Sequence, residues 1–278
     1  MMEKIRAILS FAWIEFRALK YYPSNLILEI VKGYVTIFVW FFIAYFIQGF
    51  SSATFKEFGG NYVSYVVLGV IFFQSSQAFI LAPFKGLSTA FWEKRLETYA
   101  TPSNGVQTYI YGEMLWNFVL KTFTTLLFFF TFVFIVKVDM IFPSSYLNLT
   151  LVYILLTLFS FGAGMIGASN FFFLEVKQGR EPFTWTLGVL TQLFSGLYYP
   201  ISLFPKGMRW LSYILPQSYA FDAIRRISIN GAALSERHVT MDVLVLTVFA
   251  IGTIFLGRWL FKKSIVRAEK TTGFSSLV

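Results

Sequence analysis

Long stretches without a single charged residue limit this chain more than any other feature. Val63 to Pro83 and Thr122 to Val136 carry none. Both runs are at or near the ~20 residues a helix needs to cross ~30 Å of hydrocarbon. A soluble domain carries about 25% charged residues, whereas here 13% are charged and 56% are hydrophobic. A globular core has no use for such runs, so the expected fold class is an all-α polytopic membrane protein, a single transmembrane domain over residues 1–278.

The net charge of +9 matters through its location. The basic residues cluster at the edges of apolar runs, where they orient spans, and no basic soluble module is present to bind nucleic acid. With no cysteine there is no disulfide framework, thiolate nucleophile or cysteine-based metal site. The single histidine, His238, builds no metal site alone.

Glu3, Lys4, Arg6, Glu15 and Arg17 interrupt the N-terminal segment, which is therefore not a cleavable signal peptide. At 100° per residue Ile5, Ile8, Leu9, Ala12, Trp13, Phe16 and Leu19 share one face. That pattern predicts an amphipathic helix over 1–22 lying in the headgroup plane.

Six spans are predicted, at 25–48, 61–83, 109–136, 147–170, 182–203 and 240–261. An even number puts both termini on one side. Lys4, Arg6, Arg17 and Lys20 precede the first span, and Arg258, Lys262, Lys263, Arg267 and Lys270 end the last. The 84–108 loop adds Lys85, Lys94 and Arg95, and the 171–181 loop adds Lys177 and Arg180; the two short opposite loops hold only Lys56 and Lys137. The bias makes both termini cytosolic.

The 204–239 connection departs from that pattern with Lys206, Arg209, Arg225, Arg226 and Arg237. It is either a soluble external loop or a pair of short helices dipping into the outer leaflet. The second reading is favoured, because "MRWLSYIL" and "SYAFDAIRRISI" each have an apolar face and follow Pro205 and Pro216, where helices begin. Broken backbone at such depth must be buried in protein or line a cavity, so this segment is expected to form part of a substrate path.

Enzymatic motifs are missing. "GRWLFKKS" lacks the second glycine of a phosphate loop and follows an apolar span instead of a strand; no hydrolase, zinc or paired-carboxylate constellation occurs. The chain is expected not to be an enzyme by itself. Glu29 and Lys32 lie one turn apart in the first span and can pair on one helix face; Glu113 and Lys121 sit near the inner end of the third. Gln74, Ser75, Ser76 and Gln77 form a polar belt at the centre of the second span. It faces a translocation path or hydrogen-bonds to neighbouring helices. "SFGAGMIGASN" places Gly162, Gly164 and Gly167 for close helix packing, and Tyr198 and Tyr199 fit an interfacial girdle.

The polar stretch 84–108 exceeds a connector's two to eight residues. Its first part is helix-forming and ends at Pro102. Leu87, Phe91 and Trp92 give a partial apolar face beside Glu93, Lys94, Arg95 and Glu97, a mixture suited to docking on a protein.

These residues resemble a family. "EKRLETYATPSN" is similar to the pattern of ABC type 2 exporter permeases: Leu96-Glu97 and Thr101-Pro102 match, and Arg95 stands where the family usually has Thr. In "FSGLYYPISLFPKGMRWLSYILPQSYAFDAIRRI", Gly196, Tyr199-Pro200, Pro205, Pro216 and Arg225 fall where the family's second signature has them. The resemblance implies the transmembrane subunit of an ATP-driven exporter in a prokaryotic plasma membrane. It would bind no cofactor directly, ATP and Mg residing on two copies of a partner ABC ATP-binding subunit. A second permease half, as homodimer or heterodimer, would complete the path through the lipid bilayer. Residues 84–102 would be the coupling helix, with Leu87, Phe91, Trp92, Glu93, Arg95, Leu96, Glu97, Thr101 and Pro102 at the contact. Gln74, Gln77, Gly196, Tyr198, Tyr199, Pro200, Pro216 and Arg225 are the candidates for path or gate. The first span lacks the basic-aromatic start typical of polysaccharide exporters, so the expected substrate is a drug, lipid or peptide-like amphiphile. An ion- or proton-coupled secondary transporter and a non-transporting accessory subunit are the alternatives.

Overall fold

A computed structural model describes residues 2–51, 61–100, 105–138 and 146–271. Among them there is no strand. The helices are α1 (Met2–Tyr21), α2 (Pro23–Ser51), α3 (Tyr62–Trp92), α4 (Leu96–Ala100) and α5 (Gly105–Phe130, extended by a π-helical turn Thr131–Ile135). They continue with α6 (Tyr146–Phe173), α7 (Pro182–Phe194), α8 (Arg209–Ile214), α9 (Pro216–Asn230) and α10 (Arg237–Thr271).

Five of these, α2, α3, α5, α6 and α10, are long and apolar enough to cross a membrane. The chain is thus an all-α, multi-pass membrane protein. The expected span at 182–203 is instead divided. Helix α7 has 13 residues, about 20 Å at 1.5 Å per residue, which is shorter than the hydrocarbon. It ends where Gly196 takes a left-handed conformation (φ 74°), followed by an irregular stretch and a 3-10 turn at Ile201–Leu203. Its contacts still run along much of α3. The preceding Lys177 carbonyl accepts from Ser88 (2.8 Å), a Cβ on Gly188 would stand 2.8 Å from Gln77 Oε1, and Gly196 meets Tyr65.

Helix ends are set by local chemistry. Asn61 caps α3 by accepting from Ser64 N–H (3.1 Å). Glu181, 2% exposed, caps α7 by accepting from Phe183 N–H (2.9 Å) and Thr184 N–H (2.6 Å), and Pro182 fills the first helical position, where no N–H is needed. Gly231 (φ 69°) ends α9.

The small residues of α6 are distributed among three partners. A Cβ on Gly162 would stand 2.6 Å from the Ile254 nitrogen of α10, and one on Gly164 would stand 2.6 Å from the Ile80 carbonyl of α3. Gly167 faces Thr184 of α7 and Glu181, which precedes that helix. Where lipid supplies no hydrophobic drive between helices, such close approach is how they hold together. Helix α6 thereby becomes the hub of the bundle. Helix α3 is its most enclosed long helix, with 78% of its most apolar stretch buried, against 11% for α2.

The buried apolar residues form two clusters. The larger surrounds α3 from Tyr62 to Ala82. The second gathers Leu87 and Ala90 of α3, Leu96 of α4, Val106 and Ile110 of α5, Phe171 of α6 and Phe261 and Ile265 of α10. Phe11 of α1 meets Tyr99 and Tyr109 edge-on at the same level (5.3 and 5.5 Å). Helices α1 and α4 and the C-terminal part of α10 therefore share one end of the bundle, the α4 end. The start of α3 and the segment from Gly196 to α9 share the other, the α9 end.

Candidate functional site

At the α4 end the expected coupling helix over 84–102 is two elements. Residues 84–92 are the last turns of α3, continuous with the span. The chain then turns at Lys94 (φ 56°), where Lys94 N–H bonds to the Phe91 carbonyl (3.0 Å) and Arg95 N–H to that of Ala90 (2.9 Å). Only five residues, Leu96–Ala100, form the separate helix. A helix continuous with a span keeps its backbone bonds without a new cap, which the polar composition of this stretch did not reveal.

The expected contact residues divide by burial. Leu87 (0% exposed) and Leu96 (3%) belong to the second core cluster; they anchor the turn and face no partner. Phe91 is half-buried, and Trp92, Glu93 and Glu97 are exposed, with Glu93 ion-paired to Arg95. Thr101 and Pro102 lie outside the described residues.

The turn is tied to the α6–α7 connection by Lys177, a residue no motif announces. Its carbonyl accepts from Ser88 Oγ (2.8 Å) and Trp92 Nε1 (3.3 Å). Its ammonium donates to the Phe171 carbonyl (3.2 Å) and sits 4.4 Å from the Phe171 ring centroid. Burial against these rings holds that ammonium below the ordinary lysine value. Glu181, bonded also to Asn170 Nδ2 (2.6 Å), continues the connection into α7. The Glu-Pro pair at 181–182 was the readable signal for this cap.

Midway along the bundle the polar belt divides between hydrogen bonds to a neighbouring helix and the lining of a cavity. Ser75 is hydrogen-bonded to Tyr153 (2.9 Å) and Ser76 to Ser160 (2.8 Å), knitting α3 to α6. Gln74 and Gln77 instead line a cavity of about 460 Å³ among α2, α3, α5 and α7. Gln74 donates to the Gly33 carbonyl at 3.4 Å; Gln77 Nε2 is buried with no hydrogen-bond partner. Lys32, Thr36, Thr124, Thr125 and Gln192 also line the space. The expected Glu29–Lys32 pair is absent: Glu29 pairs with Lys121 of α5 across the cavity, because α2 and α5 approach closely where Gly33 meets Phe128. Glu113 is bonded to Tyr109 (3.2 Å) and Asn117, not to Lys121.

At the α9 end Arg225, 2% exposed, is fully engaged by backbone. Its Nε donates to the Tyr65 carbonyl (3.0 Å), Nη1 to Gly196 (2.9 Å) and Nη2 to Leu197 (2.7 Å). The guanidinium carbon lies 3.5 Å from the Tyr65 ring centroid, and the Tyr65 hydroxyl donates to the Gly196 carbonyl (2.7 Å). Arginine suits this place because a planar fork can stack and bond several carbonyls at once. Gly69 lets the fork in: a Cβ there would meet Nη2 and stand 2.7 Å from the Leu197 carbonyl. Neither Tyr65 nor Gly69 carries a sequence signal within a charge-free run.

The remaining predicted path residues lie around this knot. Tyr198 stacks on Trp40 of α2 (3.8 Å), Tyr199 meets Phe204 edge-on (5.4 Å), Pro200 is buried, and Pro216 opens α9. A second cavity of about 350 Å³ lies beside them, lined by Arg209, Asp222, Arg226, His238 and Asp242 among others. Gln74 and Gln77 thus belong to a cavity near mid-bundle, and Gly196 and Arg225 to a fixed joint at one end.

Long apolar helices joined through small residues, with a polar cavity and a short helix at one end, make this a multi-pass membrane protein. Residues 96–229, a little under half of the chain, match the family model described as ABC-2 type transporter, the family that the motifs around Leu96-Glu97 and Gly196 to Arg225 resemble. The match runs from the first residue of α4 into the last turn of α9 and includes Gly196, Leu197 and Arg225, but not the turn at Lys94 or Tyr65 of the joint. Among curated proteins no match is found.

Proposed function

We propose that the chain is the permease half of an ATP-driven ABC exporter, coupled at its α4 end to a separate ATP-binding subunit. The observation that carries this reading is the position of α4. The family match begins at Leu96, and Leu96 and Leu87 fasten the turn to the core while Trp92, Glu93 and Glu97 stay exposed. A rigidly backed, outward-facing turn can transmit force, and Lys177 and Glu181 extend it toward α7.

In this reading α7 and the segment after it make a short sixth pass. The α4 end, where α1 and the basic C-terminal part of α10 gather, is cytosolic. Two such chains would enclose the path, ATP and Mg would sit on the partner, and this chain would catalyse nothing itself. The cavity at Gln74, Gln77 and Gln192 would be the substrate route, and the Arg225 joint would hold the external segment in place.

The test is affinity purification of the full chain in mild detergent, with mass spectrometry of what accompanies it. A co-purifying ATPase with phosphate-loop motifs is expected. Glu97→Lys is expected to lower its recovery at least ~5-fold with the permease still folded. Full expression without any such ATPase would contradict the reading and favour a secondary transporter.

A further inference from the structure

The cavity among α2, α3, α5 and α7 has a charge arrangement that specifies what could occupy it. Its one carboxylate, Glu29, is committed to Lys121. Lys32 stands one turn along α2 from Glu29 and has no carboxylate partner among the described residues. It lies about 14 Å from the start of α2, at 1.5 Å per residue. An ammonium within a span is costly unless it faces water or a counter-charge, and Lys32 is exposed and lines the cavity.

Gln77 has a matching deficit. Its Oε1 is packed against Gly188, whereas its Nε2 is buried without a hydrogen-bond partner. The Gln77 amide thus makes no hydrogen bond at either atom among the described residues, its donor being the buried one, and Lys32 is the uncommitted charge of the cavity. A buried donor left unpaired costs about 1–3 kcal/mol, so the complementary ligand is rich in acceptor oxygens and carries negative charge. The α2 residues that line the cavity are Glu29, Lys32, Gly33 and Thr36; outside it, one turn to either side of Lys32, Leu28 and Val35 are 66% and 57% exposed and leave an apolar strip on the surface of α2. A volume of about 460 Å³ falls within the ~300–1,000 Å³ of small-ligand sites.

We infer that this cavity binds the anionic, oxygen-rich headgroup of an amphiphile, Lys32 meeting its acidic group and Gln77 an acceptor oxygen, with the apolar tail leaving along Leu28 and Val35. The inference rests on the permease reading only for its biological meaning; binding itself can be measured without any ATPase.

The experiment is calorimetric titration of the full chain, in a neutral maltoside, with dioctanoyl phosphatidylglycerol, dioctanoyl phosphatidylcholine and inorganic phosphate. Saturable binding of phosphatidylglycerol at least ~10-fold tighter than phosphatidylcholine is expected. Lys32→Gln should weaken it ~10-fold and abolish the preference, Lys32→Arg should restore it, and Gln77→Leu should weaken it several-fold. Because the Lys32 ammonium holds no partner in the fold, its variants should elute as wild type on size exclusion.

Equal binding of the two lipids, or wild-type affinity in Lys32→Gln, would overturn the inference. Inorganic phosphate displacing phosphatidylglycerol at equal concentration would make the ligand a soluble anion and overturn the amphiphile. Loss of binding with the ATPase still co-purifying would sink the ligand assignment alone. Binding without any ATPase would sink the permease reading alone.

Discussion

Arg225 and Lys32 are both cations set in a largely apolar bundle, and the protein treats them in opposite ways. Arg225 donates to the carbonyls of Tyr65, Gly196 and Leu197 and stacks on the Tyr65 ring, so each of its three nitrogens is held by backbone and the group is fixed in place. Lys32 lines a cavity with its ammonium uncommitted, on the helix whose most apolar stretch is only 11% buried. A buried cation saturated by backbone fixes a broken segment that lipid would not tolerate. A cation left unsaturated beside a polar cavity is kept for something that arrives.

The largest expected effect is at the saturated site. Arg225→Leu would take a donor from three buried carbonyls, of which that of Gly196 keeps the Tyr65 hydroxyl, at about 1–3 kcal/mol for each left unpaired. A loss of several kcal/mol should appear as a sharply lower thermal unfolding midpoint in detergent, or as aggregation on extraction. Near-wild-type stability would break the contrast. Next comes Gly69→Ala, whose Cβ would press on the fork and on the Leu197 carbonyl. A cost of about 1–3 kcal/mol should lower the same midpoint, and the effect should shrink in the Arg225→Leu background because the two residues share one contact. The smallest effect is at the unsaturated site. Lys32→Leu should change stability by no more than about 0.5 kcal/mol while lowering phosphatidylglycerol affinity. A large loss of stability there would show that Lys32 is structural after all.

Much of the architecture is legible in the residues alone, since charge-free runs leave a chain few options other than spanning a bilayer. The motif order around Leu96-Glu97 and Gly196 to Arg225 foreshadowed the family match over 96–229. What escaped reading depends on contacts distant in sequence. Gly69 and Tyr65 look like ordinary span residues until Arg225, from another helix, arrives between them. Glu29 has Lys32 as its neighbour in sequence but Lys121 as its partner in space, because the close approach of α2 and α5 at Gly33 outweighs proximity along one helix. Composition could not divide the stretch 84–102 either. Polar and helix-forming, it reads as one helix, yet its first part is the end of α3 and its leucines point inward. Of the alternatives for the polar belt, hydrogen bonding to a neighbouring helix is seen at Ser75 and Ser76, whereas Gln74 and Gln77, facing other neighbours of the same helix, line a cavity.

The contrast can be tested most directly through a property of the sequence itself, which contains no cysteine. Any introduced thiol is therefore the sole target for a membrane-impermeant, charged maleimide. Single substitutions Lys32→Cys, Gln77→Cys and Gln192→Cys, compared in intact membranes with Ala223→Cys on buried α9, measure which region water reaches. Fast labelling at 32, 77 and 192, slowed by phosphatidylglycerol, with no labelling at 223, is the predicted result. Labelling at 223 while 77 and 192 stay protected would contradict the assignment of the α2–α3–α5–α7 cavity as the route and the Arg225 joint as its fixed frame.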